Sequence, residues 1–446
     1  MNRLIFAGDD FQEFQGALLA GAPLESAGAF IARSGRGNGG MRFVVIQTEV
    51  AGDVDYLERS RTSAILRPSF VARVLKVARN EKASLFLVHT HPTQEWPAFS
   101  NVDSRGERTM APTLYARAPD GPHGSLVFGQ KGFAARLLDG EGRATTTIDR
   151  LLAIGVDIHV HGRASSAASD AMFDRNVRAF GAEGQKILHG LHVGVVGVGG
   201  TGSFAVEELA RLGVGKLTLI DDETVENTNL NRLVGAGVAD VGRSKVEVMG
   251  KAARRAQPGI ELNLVPDSVI LESVGRRLLD CDAVFCCTDS HGSRAVINQI
   301  AYQYGVPVFD IGVRIDAAEG DVTSAVSRVQ MIGPGLPCLV CHPLLSPEAV
   351  RRDLLTNQAR AQDPYIIGVH EPQPAVISIN GTATSSAVTM FLAAVTGLPS
   401  RTRHLVGRPL EGTIRAVAGA SRPGCVVCGT GNAYLRADSW PLMWQS

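Results

Sequence analysis

The chain has 446 residues, enough for two or three domains with cores of their own. Apolar residues make up 45% of it, ordinary for a globular protein, and Lys+Arg and Asp+Glu are both 44, so the formal charge is zero. That balance gives no electrostatic reason to expect nucleic acid or an anionic membrane as partner, while the acidic start "MNRLIFAGDDFQEF" and short apolar runs such as "AVTMFLAAVTG" argue against a secretory signal or a bilayer span, so a cytoplasmic protein is expected.

Residues 1–145 read as an α+β domain. "RFVVIQTEV" is strand-like, and "PSFVARVLKVARNEKA" has helical periodicity with Pro68 in its first turn. "SLFLVHTHP" is a buried strand, and "GSLVFGQ" and "FAARLLDG" read as further strands. The texture changes across "EGRATTTIDR" and "GRASSAASDAMF", and residues 146–172 read as a linker.

His89 and His91, two apart at the end of a strand, face the same side, and Asp103 adds an oxygen ligand from the following loop. Two imidazoles and one carboxylate leave a fourth position open, the pattern of a catalytic zinc. Such a site needs a general base, usually a glutamate. Glu25 in "PLESAGAFIAR" is the leading candidate, with Glu49 and Glu58 as competitors. Ser100 is placed to donate to a developing oxyanion. The run "HTHPTQEWPAFSNVD", with His-x-His-Pro, seven residues, Ser, two residues and Asp, resembles the JAB/MPN (JAMM) metalloisopeptidases. The resemblance implies a cytidine deaminase-like fold, zinc on His89, His91 and Asp103, a water activated by Glu25, and Ser100 supporting the tetrahedral intermediate. "DIHVHG" repeats the spacing at His159 and His161 but lacks a following Ser-x-x-Asp, and reads as strand or linker.

From residue 173 strands and helices alternate: "HVGVVG", "SFAVEELARLG", "KLTLIDD", "SKVEVMGKAARRA", "ELNLV", "AVFCC", "GSRAVINQIAYQYG", "VPVFDI". Alternation of this kind implies a mostly parallel, Rossmann-like sheet with right-handed crossovers. Gly197, Gly199, Gly200 and Gly202 follow a strand and open a helix, where backbone can approach phosphate. With Asp221 at the end of the second strand, a dinucleotide oxidoreductase would show as much. Asn229, Arg232 and Lys245 follow, an amide and two cations suited to a triphosphate with a pyrophosphate leaving group, and Asp289 in "CCTDS" is placed to hold magnesium.

Residues 173–446 resemble the ThiF/MoeB/ubiquitin-activating superfamily. By that resemblance the four glycines form the ATP loop, Asp221 contacts the ribose, Asn229, Arg232 and Lys245 contact the phosphates, and Asp289 serves metal and nucleotide. Arg178 in "DRNVRAFG" matches an arginine that family dimers insert into the partner's ATP site, which implies a homodimer. Cys338/Cys341 and Cys425/Cys428 form two Cys-x-x-Cys pairs, which match the family's structural zinc, a closed four-thiolate site. The stretch between the pairs, where many relatives carry a thioester-forming cysteine, has none here, and Cys281, Cys286 and Cys287 read as core residues. The expectation is an enzyme that stops at the acyl-adenylate and passes it to a separate conjugating protein or a sulfur donor.

Together the two signatures imply trimming or deconjugation of a ubiquitin-like protein and ATP-dependent adenylation of its C-terminal glycine. Sulfur-carrier activation is the alternative within the same chemistry, and a non-catalytic scaffold for ubiquitin-like proteins is the alternative of another class.

Overall fold

The computed structural model describes residues 1–162, 171–318, 320–356 and 374–445. The chain divides into two compact units, Met1–Arg163 with Leu435–Trp440, and Ala164–Tyr434 with Pro441–Ser446.

The first unit is built on β1 (Arg3–Ala7), β2 (Ala27–Arg36), β3 (Met41–Val50), the small hairpin β4 (Tyr56–Arg59) and β5 (Ala64–Leu66), β6 (Ser84–Thr90), β7 (Gly124–Phe128), β8 (Phe133–Leu138), β9 (Ala144–Thr147), β10 (Arg150–Ile154) and β11 (Ile158–His161). All but the hairpin form one sheet in the order β11-β10-β1-β3-β2-β6-β7-β8-β9. Both faces of the sheet are covered. Phe11, Phe14 and Leu18, at helical spacing on Asp10–Leu19, pack with Phe6, Phe30, Phe43, Phe86 and Phe128 on one face. Helix Pro68–Asn80 buries Phe70, Val74, Leu75 and Ala78 with Ile31 and Leu85 on the other, joined there by Leu114 of helix Asn101–Arg117. Strand alternation therefore sorts β6: Phe86 and Val88 face the phenylalanine cluster, while Leu85 and His89 face the two long helices.

Two readings need correction. The stretch 146–172 is not a linker throughout, because β10 pairs in parallel with β1, Arg3 opposite Arg150, and β11 closes that edge. Residues 163–170 of that stretch lie outside the described residues. Nor does the second unit keep everything after 173: Leu435–Trp440 belongs to the first, where Arg33 Nη1 donates to the Leu435 carbonyl at 3.2 Å and the Arg36 N–H to Asp438 Oδ2 at 3.0 Å.

The second unit contains β12 (His192–Val196), β13 (Lys216–Ile220), β14 (Glu261–Val265), β15 (Ala283–Cys286), β16 (Val308–Ala318), β17 (Asp321–Ile332), β18 (His404–Arg408) and β19 (Thr413–Ala416), in the order β14-β13-β12-β15-β16-β17-β18-β19. The first five in that order are parallel and Rossmann-like; β17, β18 and β19 extend them antiparallel. β12 and β15 are buried along their whole length, as central parallel strands must be. Chain order reverses at β12, with β13 on one side and β15 on the other, and ligands of open α/β sheets bind at such a switch point. Among the described residues no helix is long and apolar enough to cross a membrane.

Candidate functional site

In the first unit, β6 ends at the site and helix Asn101–Arg117 begins there. Ser100 caps that helix: its Oγ accepts from the Asp103 N–H at 3.1 Å, and Asp103 Oδ2 accepts from the Ser100 N–H at 2.6 Å. The capping box fixes Asp103 in the first turn, where its Oδ1 lies 3.2 Å from His89 Nε2 and its Oδ2 3.9 Å from His91 Nε2. The two imidazole Nε2 atoms are 3.2 Å apart, and Glu25 Oε1 is 3.8 Å from His91 Nε2. One ligand atom from each of His89, His91 and Asp103 lies within 4.8 Å of the others. Two imidazole nitrogens and a carboxylate oxygen gathered this closely are a donor set that could hold a divalent metal of zinc type. Glu25 is the glutamate brought to the cluster; Glu49 is held by Arg73 at 2.6 Å.

The electrostatics suit that arrangement. Burial raises the pKa of Asp103, but the hydrogen bond and charge of His89 and the two bonds from Ser100 outweigh it and hold the carboxyl well below its usual range. Burial pushes Glu25 up, against the opposing pull of His89, and pushes His91 down, keeping its imidazole neutral and able to ligate. His159 and His161 sit on β11 away from this cluster, with His159 Nε2 3.3 Å from Gln12 Nε2.

In the second unit the glycine loop follows β12 at the switch point. Gly197 has φ +80°, a left-handed conformation, and a Cβ there would lie 2.9 Å from the Thr288 N–H nitrogen. A Cβ on Gly202 would overlap the Gly197 carbonyl. The loop is thus closed on itself and on the segment after β15. Gly200 faces Arg232, whose Cδ would be 3.3 Å from a Cβ there, while nothing lies within 4 Å of such an atom on Gly199. Asp221 directly follows β13 and ties the loop to it: Oδ2 accepts from the Val198 N–H at 2.7 Å and Oδ1 from the Glu223 N–H at 2.9 Å. Burial raises its pKa, against the charge of Lys245.

Lys245, 5% exposed, opens helix Lys245–Ala256 and pairs with Glu223. Arg232 Nη1 donates to the Thr228 carbonyl at 2.6 Å. Asn229 Oδ1 accepts from the Glu226 N–H at 3.2 Å, so the oxygen holds the turn and the amide nitrogen is the group suited to phosphate. Asp289 is exposed on the segment after β15, and one carboxylate is what magnesium usually takes from protein when phosphates supply further ligands. Arg178 stands apart on helix Asp174–Gly190, before a kink at Phe180 and Gly181, paired with Asp174 at 2.8 Å and with 72% of its side chain exposed. Sequence reasoning missed Asn380 and Thr384 on helix Ile377–Thr396. Asn380 is buried with its Nδ2 against Gly200, and Thr384 Oγ1 donates to the Thr201 carbonyl at 3.2 Å. A single asparagine in the long run "ISINGTATSSAVTMFLAAVT" of small and apolar residues was the available signal.

Cys338, Cys341, Cys425 and Cys428 converge, with Sγ–Sγ separations of 3.7 Å (338–341), 3.5 Å (338–425) and 3.4 Å (341–428). Four thiols at this spacing suit one tetrahedral zinc with no open position. Cys281 and Cys286 are wholly buried, as core cysteines; burial pushes Cys286 well above the usual thiol range and Cys287 up to about 12.

Residues 173–425 match the model of the ThiF family. The SAMP-activating enzyme E1 of Haloferax volcanii is 30% identical over 251 residues, 56% of this chain and 85% of the relative. The molybdopterin-synthase adenylyltransferase of Salmonella typhimurium is 31% identical over 253 residues, 57% of this chain and 93% of the relative. A crystal structure of E. coli MccB is 20% identical, with a TM-score of 0.46 over 60% of this chain and 75% of that one. The chain belongs to the ThiF family, with a ThiF/MoeB-type adenylyltransferase domain matched over residues 173–425.

Proposed function

We propose that this chain adenylates the C-terminal glycine of a ubiquitin-like protein with ATP and, through its first unit, cuts the peptide or isopeptide bond that follows that glycine. The observation that carries the pairing is the convergence of Glu25, His89, His91 and Asp103 in a chain whose other unit is an adenylyltransferase. In the second unit the substrate's carboxylate oxygen attacks the α-phosphorus and pyrophosphate leaves. Arg232 and Lys245 neutralise the phosphates, and the loop from Gly197 to Gly202 cradles them. Arg178, exposed on its helix and matching the arginine that family dimers insert into the partner's ATP site, is assigned to the site of a second copy, which makes the active form a homodimer.

In the first unit zinc would polarise the scissile carbonyl and lower the pKa of a water molecule. Glu25 receives that water's proton and passes it to the leaving amine. Ser100 Oγ accepts from the Asp103 N–H, which leaves its hydroxyl hydrogen to donate to the developing oxyanion. The first unit, Met1–Arg163 with Leu435–Trp440, is assigned to the peptidase, and the second, Ala164–Tyr434 with Pro441–Ser446, to the activating domain. The four-cysteine site holds a structural zinc.

The name of the Haloferax relative, an E1, supports the ubiquitin-like reading; that of the Salmonella relative, a molybdopterin-synthase adenylyltransferase, supports sulfur-carrier activation as the second. The test is ATP–pyrophosphate exchange with candidate ubiquitin-like and sulfur-carrier proteins, each with and without residues after the terminal glycine. Exchange with the mature form, and with the tailed form only while His89 is intact, is the expected result. Absence of exchange with every form although ATP binds would remove the main support for the activating reading and favour the scaffold.

A further inference from the structure

We infer that Arg59 is the positioning residue for Glu25, holding the base at the cluster without touching substrate; this deepens the peptidase reading and rests on it. Glu25 belongs to no helix or strand. A loop residue has its place only from whatever holds its backbone. Here both backbone groups are held by the hairpin β4–β5. The Glu25 N–H donates to the Ser60 carbonyl at 2.8 Å, and the Glu25 carbonyl accepts from Arg59 Nε at 3.0 Å.

The same guanidinium reaches one residue further. Arg59 Nη2 donates to Ser26 Oγ at 2.8 Å, and Nη1 pairs with Asp53 at 3.3 Å. Its Cζ lies 4.9 Å from the centre of the Tyr56 ring, whose hydroxyl accepts from the Ala27 N–H at 2.8 Å. Gly21 makes the room, since a Cβ there would overlap Arg59 Nη2. From the opposite side Thr90, wholly buried between the two histidines, takes hold of Ser26: Thr90 Oγ1 accepts from the Ser26 N–H at 2.9 Å and the Thr90 N–H donates to the Ser26 carbonyl at 2.9 Å.

The segment Glu25–Ser26 is therefore gripped between the hairpin and the strand that carries His89 and His91. A planar fork serves two acceptors on successive residues, which a lysine ammonium cannot do in the same geometry. Misplacing a catalytic group by about 1 Å costs roughly a hundredfold in rate, so the grip is expected to register in turnover rather than in binding.

The experiment uses the full zinc-loaded chain with Arg59→Ala, Arg59→Lys, Glu25→Gln and His89→Ala. It measures amide hydrogen exchange over residues 21–27, zinc content, and kcat and KM toward a fluorogenic peptide ending in Gly-Gly-aminomethylcoumarin. In Arg59→Ala the amides of Glu25 and Ser26 are expected to exchange at least about tenfold faster, with zinc content unchanged, kcat down roughly ten- to a hundredfold and KM within about twofold. Arg59→Lys keeps the cation and the stem, so it folds, yet recovers little of kcat; millimolar methylguanidine restores part of the turnover of Arg59→Ala. Unchanged exchange at Glu25 and Ser26 overturns the inference, as does unchanged kcat in Arg59→Ala while Glu25→Gln abolishes cleavage. If the wild-type chain cuts nothing and His89→Ala keeps its full zinc content, the peptidase reading falls, and the exchange data alone decide whether Arg59 holds the segment.

Discussion

Asp103 meets His89 with one carboxylate oxygen, Oδ1 to Nε2 at 3.2 Å, while its other oxygen accepts the N–H of Ser100. One side chain thus starts a helix and faces the two histidines, and the capping role separates from the proposed ligand role by substitution. Ser100→Ala removes the Oγ cap and is expected to lose about 1 kcal/mol of stability with zinc content unchanged. Asp103→Asn keeps an acceptor for the cap but loses the charge a metal needs. It should still fold, with a lower urea midpoint because the ionised carboxylate's bonds to His89 and Ser100 are weakened, and hold one zinc fewer per chain, counted by metal analysis after dialysis. Retention of the full zinc content in Asp103→Asn would remove Asp103 from the ligand set.

The glycine loop makes a paired prediction, because its members are glycine for different reasons. Gly202 lies against the Gly197 carbonyl, so Gly202→Ala must push the loop apart and is expected to lower the melting temperature without any nucleotide present. Gly199 has open space around it, so Gly199→Ala should fold as well as wild type. If this loop cradles the phosphates as proposed, the added methyl would crowd their approach to the backbone, and ATP–pyrophosphate exchange should fall at least about tenfold. Normal ATP affinity in Gly199→Ala would mean that nucleotide does not come to this loop.

The thiols bear on where the reaction stops. Cys286 is fully buried and Cys287 has its pKa pushed up to about 12, so neither is a thiolate at neutral pH. The double variant Cys286→Ser/Cys287→Ser should keep pyrophosphate exchange, and intact-protein mass spectrometry of the wild type with ATP and its protein substrate should show no thiol-sensitive adduct. An adduct that disappears in the double variant would place a thioester on this strand end and overturn the acyl-adenylate endpoint.

How much of this was legible depends on how local each feature is. The cluster from His89 to Asp103 lies within fifteen residues, and strand alternation plus one capping box bring it together, so spacing alone reveals it. The glycine loop is equally local, set by the end of β12 and the start of helix Gly202–Arg211. β10 was hidden because "RLLAI" is five residues among polar neighbours, and its partner β1 lies at the far end of the unit. The antiparallel additions β17 to β19 follow no alternation rule of the kind that exposes a parallel sheet. Arg59 and Asn380 act through chain segments remote in sequence from the residues they support, and no periodicity marks such a meeting.

The remaining prediction concerns acid. His123 is wholly buried beside β6, its Nδ1 accepting from the Leu85 N–H at 3.0 Å and its Nε2 donating to the Ala118 carbonyl at 2.7 Å. Both ring nitrogens are thus committed with a single proton, and a second proton on Nδ1 would break the bond from Leu85. Burial lowers the pKa of this imidazole below its usual 6.5. The unfolded chain then binds the proton first as the pH falls. Stability from this group is fully present above about pH 6.5 and is lost as the pH drops from there toward the lowered folded value, by at most about 1.4 kcal/mol per pH unit. His91 and His161, lowered in the same direction, add to the slope in this unit, so the test is a difference. Urea midpoints of the wild type and of His123→Gln, read between pH 5 and 8, should converge as the pH falls, because the glutamine variant has lost the histidine's contribution at every pH. Parallel curves would show that His123 does not carry the acid sensitivity.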